Sequence, residues 1–468
     1  MAIDDTGAIR LSTPPPDHEA RYRRRARIGD ALVVALWLSS AVAVALFLVS
    51  GGTARFGSVA DAVTSVGIMT GLVGTNLVLA MFILAARVPF IDRAVGHDRA
   101  IAVHRALGKP AFYLLLAHGL ILLVGYGLAS GINPIAEIGP LLAIPDMPLA
   151  IVGMALLVVV VVTSLGSVRR RFSYETWHLT HLLSYAAVIA SVPHQLSIGS
   201  VFSPFSLERA YWLALYVLAF GAILTHRLVE PLASSLRHRL RVGRIETEAP
   251  GVVSIYLTGR RLRSLESAGG QFFVWRFWTL GTWWHSHPVS LSALPTDTEM
   301  RITVRDLGGG SRSISAVRPG TRVWFEGPYG VFTDAGRTAP RLAIVVAGIG
   351  ITPVRALLED SKLRPGEATI LLRASTLDDT FLWGEILQLA ERKGVEVTTM
   401  IGPRARRGPG WMTQADADRG LTILGLFPDL LESDLYLCGP TPWLDLVEAD
   451  ARAAGIPDHQ IHAERFDW

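Results

Sequence analysis

Residues 104–118 read HRALGKPAFYLLLAH, a run that turns apolar after Pro110 and carries a histidine at each end. Their fourteen-residue separation is about 21 Å of helix, and the angular offset is only about 40°, so His104 and His118 face one side. Ionisable side chains in an apolar helix are costly and ask for a partner. Farther along, His181 and His194 lie on a second apolar stretch at matching depths. Their spacing gives an ideal offset near ~140°, and Pro193 is expected to kink or unwind the helix and turn His194. His178, one turn before His181, is the competing candidate.

Four imidazoles at two depths on two parallel helices suit a pair of stacked b-type haems. His104 would pair with His181, and His118 with His194, each neutral ring giving a lone pair to iron. Haems with both axial positions filled relay electrons and do not bind oxygen at iron. His97, in a loop, and His226, at the end of the last apolar run, are read as non-ligands.

Six apolar runs surround these histidines, at about 31–50, 66–86, 111–129, 148–166, 174–194 and 210–229. Each approaches the ~20 residues of a spanning helix. One such run could be a buried helix of a soluble protein; six in succession could not. Segments 1–30, 87–109 and 167–173 hold fourteen arginines and lysines, against two in 51–65, 130–147 and 195–209. Basic loops stay inside. The expectation is a multi-pass integral protein of the plasma membrane with both termini cytosolic, its residues 1–30 a disordered tail containing Pro14, Pro15 and Pro16.

The chain has 468 residues, a net charge of +4, a pI near 9.3 and a mean hydropathy of +0.37. That length implies two or three domains. Basic clusters such as RYRRRAR at 21–27 and RRR at 169–171 flank apolar runs. They suit anionic lipid and leave no case for a nucleic-acid partner. The single cysteine, Cys438, excludes intrachain disulfides and cysteine-ligated iron–sulfur clusters.

After Glu230–Pro231 the pattern changes to short alternating strands at 252–258, 271–277, 301–306 and 321–327. They predict an antiparallel β-barrel over residues 240–336. Within it, His287-Pro288-Val289-Ser290 offers a hydroxyl at Ser290 to a flavin N5 edge, and the glycines up to Gly310, with Ser311, offer amides to a pyrophosphate. Residues 341–347, RLAIVVA, read as a buried strand leading into Gly348-Ile349-Gly350-Ile351-Thr352-Pro353 and a helix, whose free N–H groups suit a dinucleotide phosphate. Strands at 368–374 and 434–438 complete a parallel α/β nucleotide-binding domain over 340–468, with Cys438-Gly439-Pro440 at its carboxyl edge, where ligands bind.

In this order the residues resemble the ferric reductase and NADPH oxidase superfamily, whose dehydrogenase half is similar to ferredoxin–NADP reductase. The resemblance covers about residues 31–468, with a six-helix transmembrane bundle over 31–230. It implies FAD contacts at His287, Pro288, Val289 and Ser290, a pyrophosphate role for Gly310 and Ser311, and a nicotinamide dinucleotide site from Gly348 through Gly350 and Thr352 to Pro353. It places Cys438 and Gly439 near the nicotinamide. Either Phe466 or Trp468 could stack on the flavin, since two residues follow the phenylalanine that often ends such chains. Arg373 and Arg404 are the candidates for an NADPH 2′-phosphate.

NAD(P)H gives two electrons as hydride, haem iron takes one at a time, and FAD handles both, so FAD must lie between them. The expected function is transfer of electrons from cytosolic NADPH or NADH through FAD and two haems to an outside acceptor. Oxygen, giving superoxide, is favoured over a ferric complex, because the outer loops lack the basic residues an anionic chelate would use. An electron-supply role for an extracytoplasmic redox protein is the alternative.

Overall fold

The computed structural model describes residues 18–197, 206–279 and 283–465. Two compact units emerge: residues Ile28–Leu232, and the residues up to Arg27 together with those from Ala233 onward.

The first unit is helical. Its long helices are α1 (His18–Gly51), α2 (Val59–Ala85), α3 (His97–Ser130), α4 (Met147–Ser164), α5 (Tyr174–Ser197) and α6 (Leu207–Leu224). Local chemistry sets their ends. Ser58 and Ser206 cap α2 and α6 by accepting from the Asp61 and Arg209 amides, and Gly131, with φ of +68°, closes α3 in the left-handed conformation that glycine adopts without penalty. Five helical stretches among the described residues are long and apolar enough to cross a membrane: His18–Phe56, Val59–Ala85, Arg99–Ser130, Met147–Ser164 and Leu207–His238. Helix α5 falls short of that apolarity because it carries His178, His181 and His194. Large apolar side chains such as Trp37, Leu120 and Val217 point outward and need an apolar solvent.

Two expectations change here. Residues 18–30, read as part of a disordered tail, are the first turns of α1; arginine favours helix, and Glu19 pairs with Arg23 one turn on. Helix α5 also stays helical through Pro193 to Ser197 rather than unwinding there; the missing N–H of Pro193 removes a backbone hydrogen bond to residue 189 without ending the helix.

The second unit contains eleven described strands. Strands β1 (Arg241–Ala249), β2 (Val252–Thr258) and β5 (Glu299–Arg305) form one antiparallel sheet in the order β1-β2-β5, and β3 (Phe272–Phe277), β4 (His287–Ser290) and β6 (Val323–Tyr329) another in the order β4-β3-β6. Lone bridges at Arg241–Arg322 and Leu291–Ile302 join the two three-stranded sheets along their edges. Phe273, Trp275, Phe277 and Phe325 fill the core they share.

Strands β7 (Arg341–Ala347), β8 (Ala368–Ala374), β9 (Glu396–Ile401), β10 (Ser433–Gly439) and β11 (Ile461–Arg465) form a parallel sheet ordered β11-β10-β7-β8-β9. Apolar cores pack against it, as expected of near-continuous apolar strands. The register pairs Val346 with Cys438 and Cys438 with Glu464, which aligns the carboxyl ends of β7, β10 and β11.

Candidate functional site

In the helical unit, α2 and α3 run antiparallel and meet at glycines. A Cβ on Gly74 would come 2.9 Å from Leu115 Cγ, one on Gly67 2.9 Å from Leu122 Cδ2, and one on Gly71 2.4 Å from His118 Nδ1. Small residues let membrane helices approach closely; at Gly71 the missing side chain makes the space an imidazole occupies. The His118 Nδ1–H donates to Gly67 O over 2.8 Å, and His104 Nδ1–H to Met81 O over 3.1 Å. A carbonyl only accepts, so in both rings Nδ1 carries the proton and Nε2 keeps its lone pair, the tautomer a metal ligand needs. Gly67 and Met81 are themselves fourteen residues apart, as are His104 and His118.

Helices α4 and α5 pair similarly. Gly153 accommodates Ser191 and the Ala187 carbonyl, and His181 Nδ1 lies 3.3 Å from the Ser164 hydroxyl. The structure brings His104 and His181 together, with ring centres 6.1 Å apart. A ring nitrogen about 2 Å from a metal puts the ring centre about 3 Å away, so rings on opposite sides of one ion stand roughly 6 Å apart. His194 interacts electrostatically with His118 and with the backbone of Ser191. Among the described residues no three His, Cys, Asp and Glu side chains cluster as metal ligands; a porphyrin asks the protein for only two. The His104–His181 spacing therefore suits a group held between two imidazoles. Of the histidines read as non-ligands, His226 bonds Glu230 at 2.7 Å and His97 faces Asp92 at 3.7 Å.

In the second unit, strand pairing sets Ser290 opposite Phe272 and His287 opposite Trp275, and the Trp275 indole donates to Val289 O. His287 and Ser290 are buried and Pro288 is exposed. Ser290 Oγ is buried with no hydrogen-bond partner. Such an orphan is costly unless a ligand completes it, which fits a flavin edge. A Cβ on Gly310 would lie 3.6 Å from His287 Cε1, so the glycine turn stands beside the strand although Gly310 follows His287 by twenty-three positions in sequence. The Ser311 hydroxyl is not free for a pyrophosphate: it accepts from Leu307 N and donates to Gly308 O, closing its own turn.

At the carboxyl edge of the parallel sheet, a Cβ on Gly350 would strike Cys438 O at 2.4 Å, and one on Gly439 would sit 3.0 Å from Trp443. Only glycines allow this approach. Thr352 and Pro353 are buried beneath the loop, with the Thr352 hydroxyl bonded to Ile349 O, which leaves the backbone amides to meet a phosphate. The Cys438 side chain is fully buried; burial, then the nearby Glu464, pushes its thiol pKa well up, so it is a neutral packing group and no nucleophile. Arg373 also departs from expectation. It is buried, and its guanidinium donates to the Trp411, Ala374 and Gly402 carbonyls, which leaves Arg404, exposed, as the cation able to meet a 2′-phosphate. Phe466 and Trp468 lie outside the described residues.

Sequence reasoning missed three features. The first is the Gly67, Gly71, Gly74 stripe, legible as small residues at i, i+4 and i+7. The second is an ion-pair cluster in which Arg301 and Arg355 share Glu385, tying β5 to the nucleotide-binding domain. The third is Arg305, paired with Asp379 at 2.8 Å and close to Gly348. No local motif announces either of the last two.

Residues 70–192 match the family model for the ferric reductase like transmembrane component. The chain is 31% identical over 186 residues to ferredoxin–NADP reductase B of Sorangium cellulosum (strain So ce56), covering 36% of this chain and 72% of that protein. It is 26% identical over 250 residues to an NADPH oxidoreductase of Mycobacterium tuberculosis (strain ATCC 25618 / H37Rv), covering 51% of this chain and 62% of that one. Among solved structures, the flavohem-like FAD/NAD binding domain of nitric oxide dioxygenase from Vibrio cholerae O1 biovar El Tor aligns at 21% identity with a TM-score of 0.40, over 49% of this chain and 99% of that chain. A membrane component of one kind and a reductase of the other, joined in one polypeptide, make this integral membrane protein an NAD(P)H-dependent oxidoreductase, and the chain belongs to the ferric reductase and NADPH oxidase superfamily.

Proposed function

We propose that the chain moves electrons from cytosolic NADPH or NADH, through FAD and two bis-histidine b haems, to an acceptor on the far side of the plasma membrane. In this reading α1 to α6 are six spans, both termini are cytosolic, and the two antiparallel sheets act as one FAD-binding barrel. The observation that carries it is the 6.1 Å spacing of His104 and His181, with Nδ1 of His104 held by Met81 O and Nε2 left to face a metal.

FAD, when bound, converts hydride chemistry to single-electron chemistry, and the haems relay single electrons. The protein's own share is positional. His104 and His181 would hold one haem and His118 and His194 the other, with Gly67 O and Met81 O fixing ring orientation. Ser290 would hydrogen-bond the flavin edge. The Gly348–Gly350 loop would cradle the dinucleotide phosphate against Cys438 and Gly439, and Phe466 or Trp468 would cover the flavin ring. No side chain has to move a proton for the outward transfer.

Oxygen, reduced by one electron to superoxide, is the favoured acceptor. The segments between α1 and α2, α3 and α4, and α5 and α6 offer an anionic ferric chelate almost no positive charge. Service to an extracytoplasmic redox protein is the alternative, decided by whether such a partner co-purifies and depends on this chain for its reduction. The direct test is the visible spectrum of the purified chain expressed with ample haem. Reduced b-type bands at two haems per FAD are expected; a colourless protein would refute the electron path.

A further inference from the structure

Beyond the histidines on α3, the helical unit holds a cavity of about 180 Å³ lined by Tyr126, Ser130, Glu137, Leu141, Ile144 and Met147. Tyr126 follows His118 by eight residues, roughly 12 Å of helix. Asp146, which precedes Met147 and has a φ of +69°, interacts electrostatically with His194. The cavity thus lies at the same end of the unit as His118 and His194.

Glu137 decides what it can hold. The residue is 8% exposed, and its Oε2 is buried with no hydrogen-bond partner. A carboxylate withdrawn from water needs a counter-charge or a proton. The segment from Gly131 to Asp146 contains Glu137 and Asp146 and no lysine or arginine, so it supplies no positive charge. The other walls are an aromatic ring, a hydroxyl, a thioether and two branched aliphatic chains. Such walls suit an organic cation, whose charge meets the carboxylate and the ring face while its carbon body meets the apolar side. A hydrated metal ion would leave that apolar side unused, and no cluster of three or more ligating side chains occurs among the described residues.

We infer that this cavity binds a small organic cation, with Glu137 as its counter-charge and Tyr126 as its aromatic wall. That such an occupant stands at the exit of an electron path rests on the reading above; the binding itself does not.

The test is equilibrium dialysis of the full-length protein in detergent against labelled N-methylpyridinium, with toluene as the uncharged molecule of the same shape. Wild-type protein is expected to bind the cation saturably and more tightly than toluene. Glu137→Gln should weaken the cation about tenfold or more and leave toluene unchanged. Glu137→Asp, which keeps the charge, should retain part of the affinity and guards against a folding defect in the glutamine variant. Equal affinity in wild type and Glu137→Gln would mean that Glu137 supplies no counter-charge and overturns the proposal. Displacement of the probe by an equal concentration of manganous ion overturns it too, in favour of a metal site. Dialysis requires no turnover, so a failure here is distinct from a missing haem spectrum.

Discussion

The helical unit and the dehydrogenase unit place their chemistry by different rules. In the first, each functional ring is tied to a neighbour at a helical interval: His104 to Met81 and His118 to Gly67, with the same fourteen-residue step on both helices. In the second, the groups that meet are remote in sequence, Gly310 against His287 and Gly350 against Cys438. A helix repeats every 3.6 residues, so a linear sequence exposes its faces. A sheet's edge is assembled by crossovers, and the sequence shows the strands without showing which ends adjoin.

The largest expected effect tests the first rule. Replacing His118 with leucine removes one ligand and should eliminate one haem and all transmembrane electron delivery, while NAD(P)H oxidation by a soluble dye persists. Haem content per flavin and the two activities, measured on one preparation, decide it. Survival of both activities with both haems would mean that helical spacing misidentifies the ligands.

The same contrast explains what was legible. The approach of His104 to His181 was legible because spacing and depth are properties of a helix. The fate of Arg373 was hidden, because its partners Trp411 and Gly402 reach it only through the fold. The Ser311 hydroxyl was hidden for the opposite reason: it bonds only its own turn, a local competition that composition does not report, and the pyrophosphate role expected of that segment falls to its backbone amides. The polar start of α1 looked disordered because charge was weighed above helix propensity.

A smaller effect sharpens the helical rule. Gly71→Ala would put a methyl 2.4 Å from His118 Nδ1. With Gly67 and Gly74 also in close contact with α3, the helices cannot part cheaply, and the cost should be about 1–3 kcal/mol, seen as lower haem retention on heating. Gly119, beside His118 but with nothing within 4 Å of its added Cβ, is the control. Gly119→Ala should be neutral or stabilising by up to about 1 kcal/mol.

In the dehydrogenase unit the comparable test is Asp434 on β10. It is fully buried and accepts from His462 Nε2 (3.0 Å), Thr338 N (2.6 Å), Thr338 Oγ1 (2.7 Å) and Ala339 N (2.7 Å). Burial alone would raise its pKa, but His462 and the Thr338 and Ala339 donors together hold it below the ordinary 3.8. A depressed folded value means that the stabilisation is fully present above about 3.8 and is lost as pH falls through the lower folded value. Asp434→Asn should lower stability near neutrality by about 1–3 kcal/mol and flatten the acid limb of a melting-temperature profile. An unchanged acid limb would remove Asp434 from the account.

The smallest effect separates two arginines that the sequence treats alike. Arg373 and Arg404 lie close enough to influence each other's charge, yet Arg373 donates to three backbone carbonyls and Arg404 is exposed. A 2′-phosphate needs an accessible cation, and an exposed ion pair contributes at most about 1 kcal/mol. Arg404→Ala should therefore raise KM for NADPH by roughly fivefold or less and leave kcat and the NADH constants alone. Arg373→Ala should instead lower stability with both nucleotides affected equally, because it strips donors from buried carbonyls. If Arg404→Ala weakened NADH as much as NADPH, the arginine would be reading the shared pyrophosphate and not the 2′-phosphate. The nucleotide preference would then have to come from another part of the loop around 402–411.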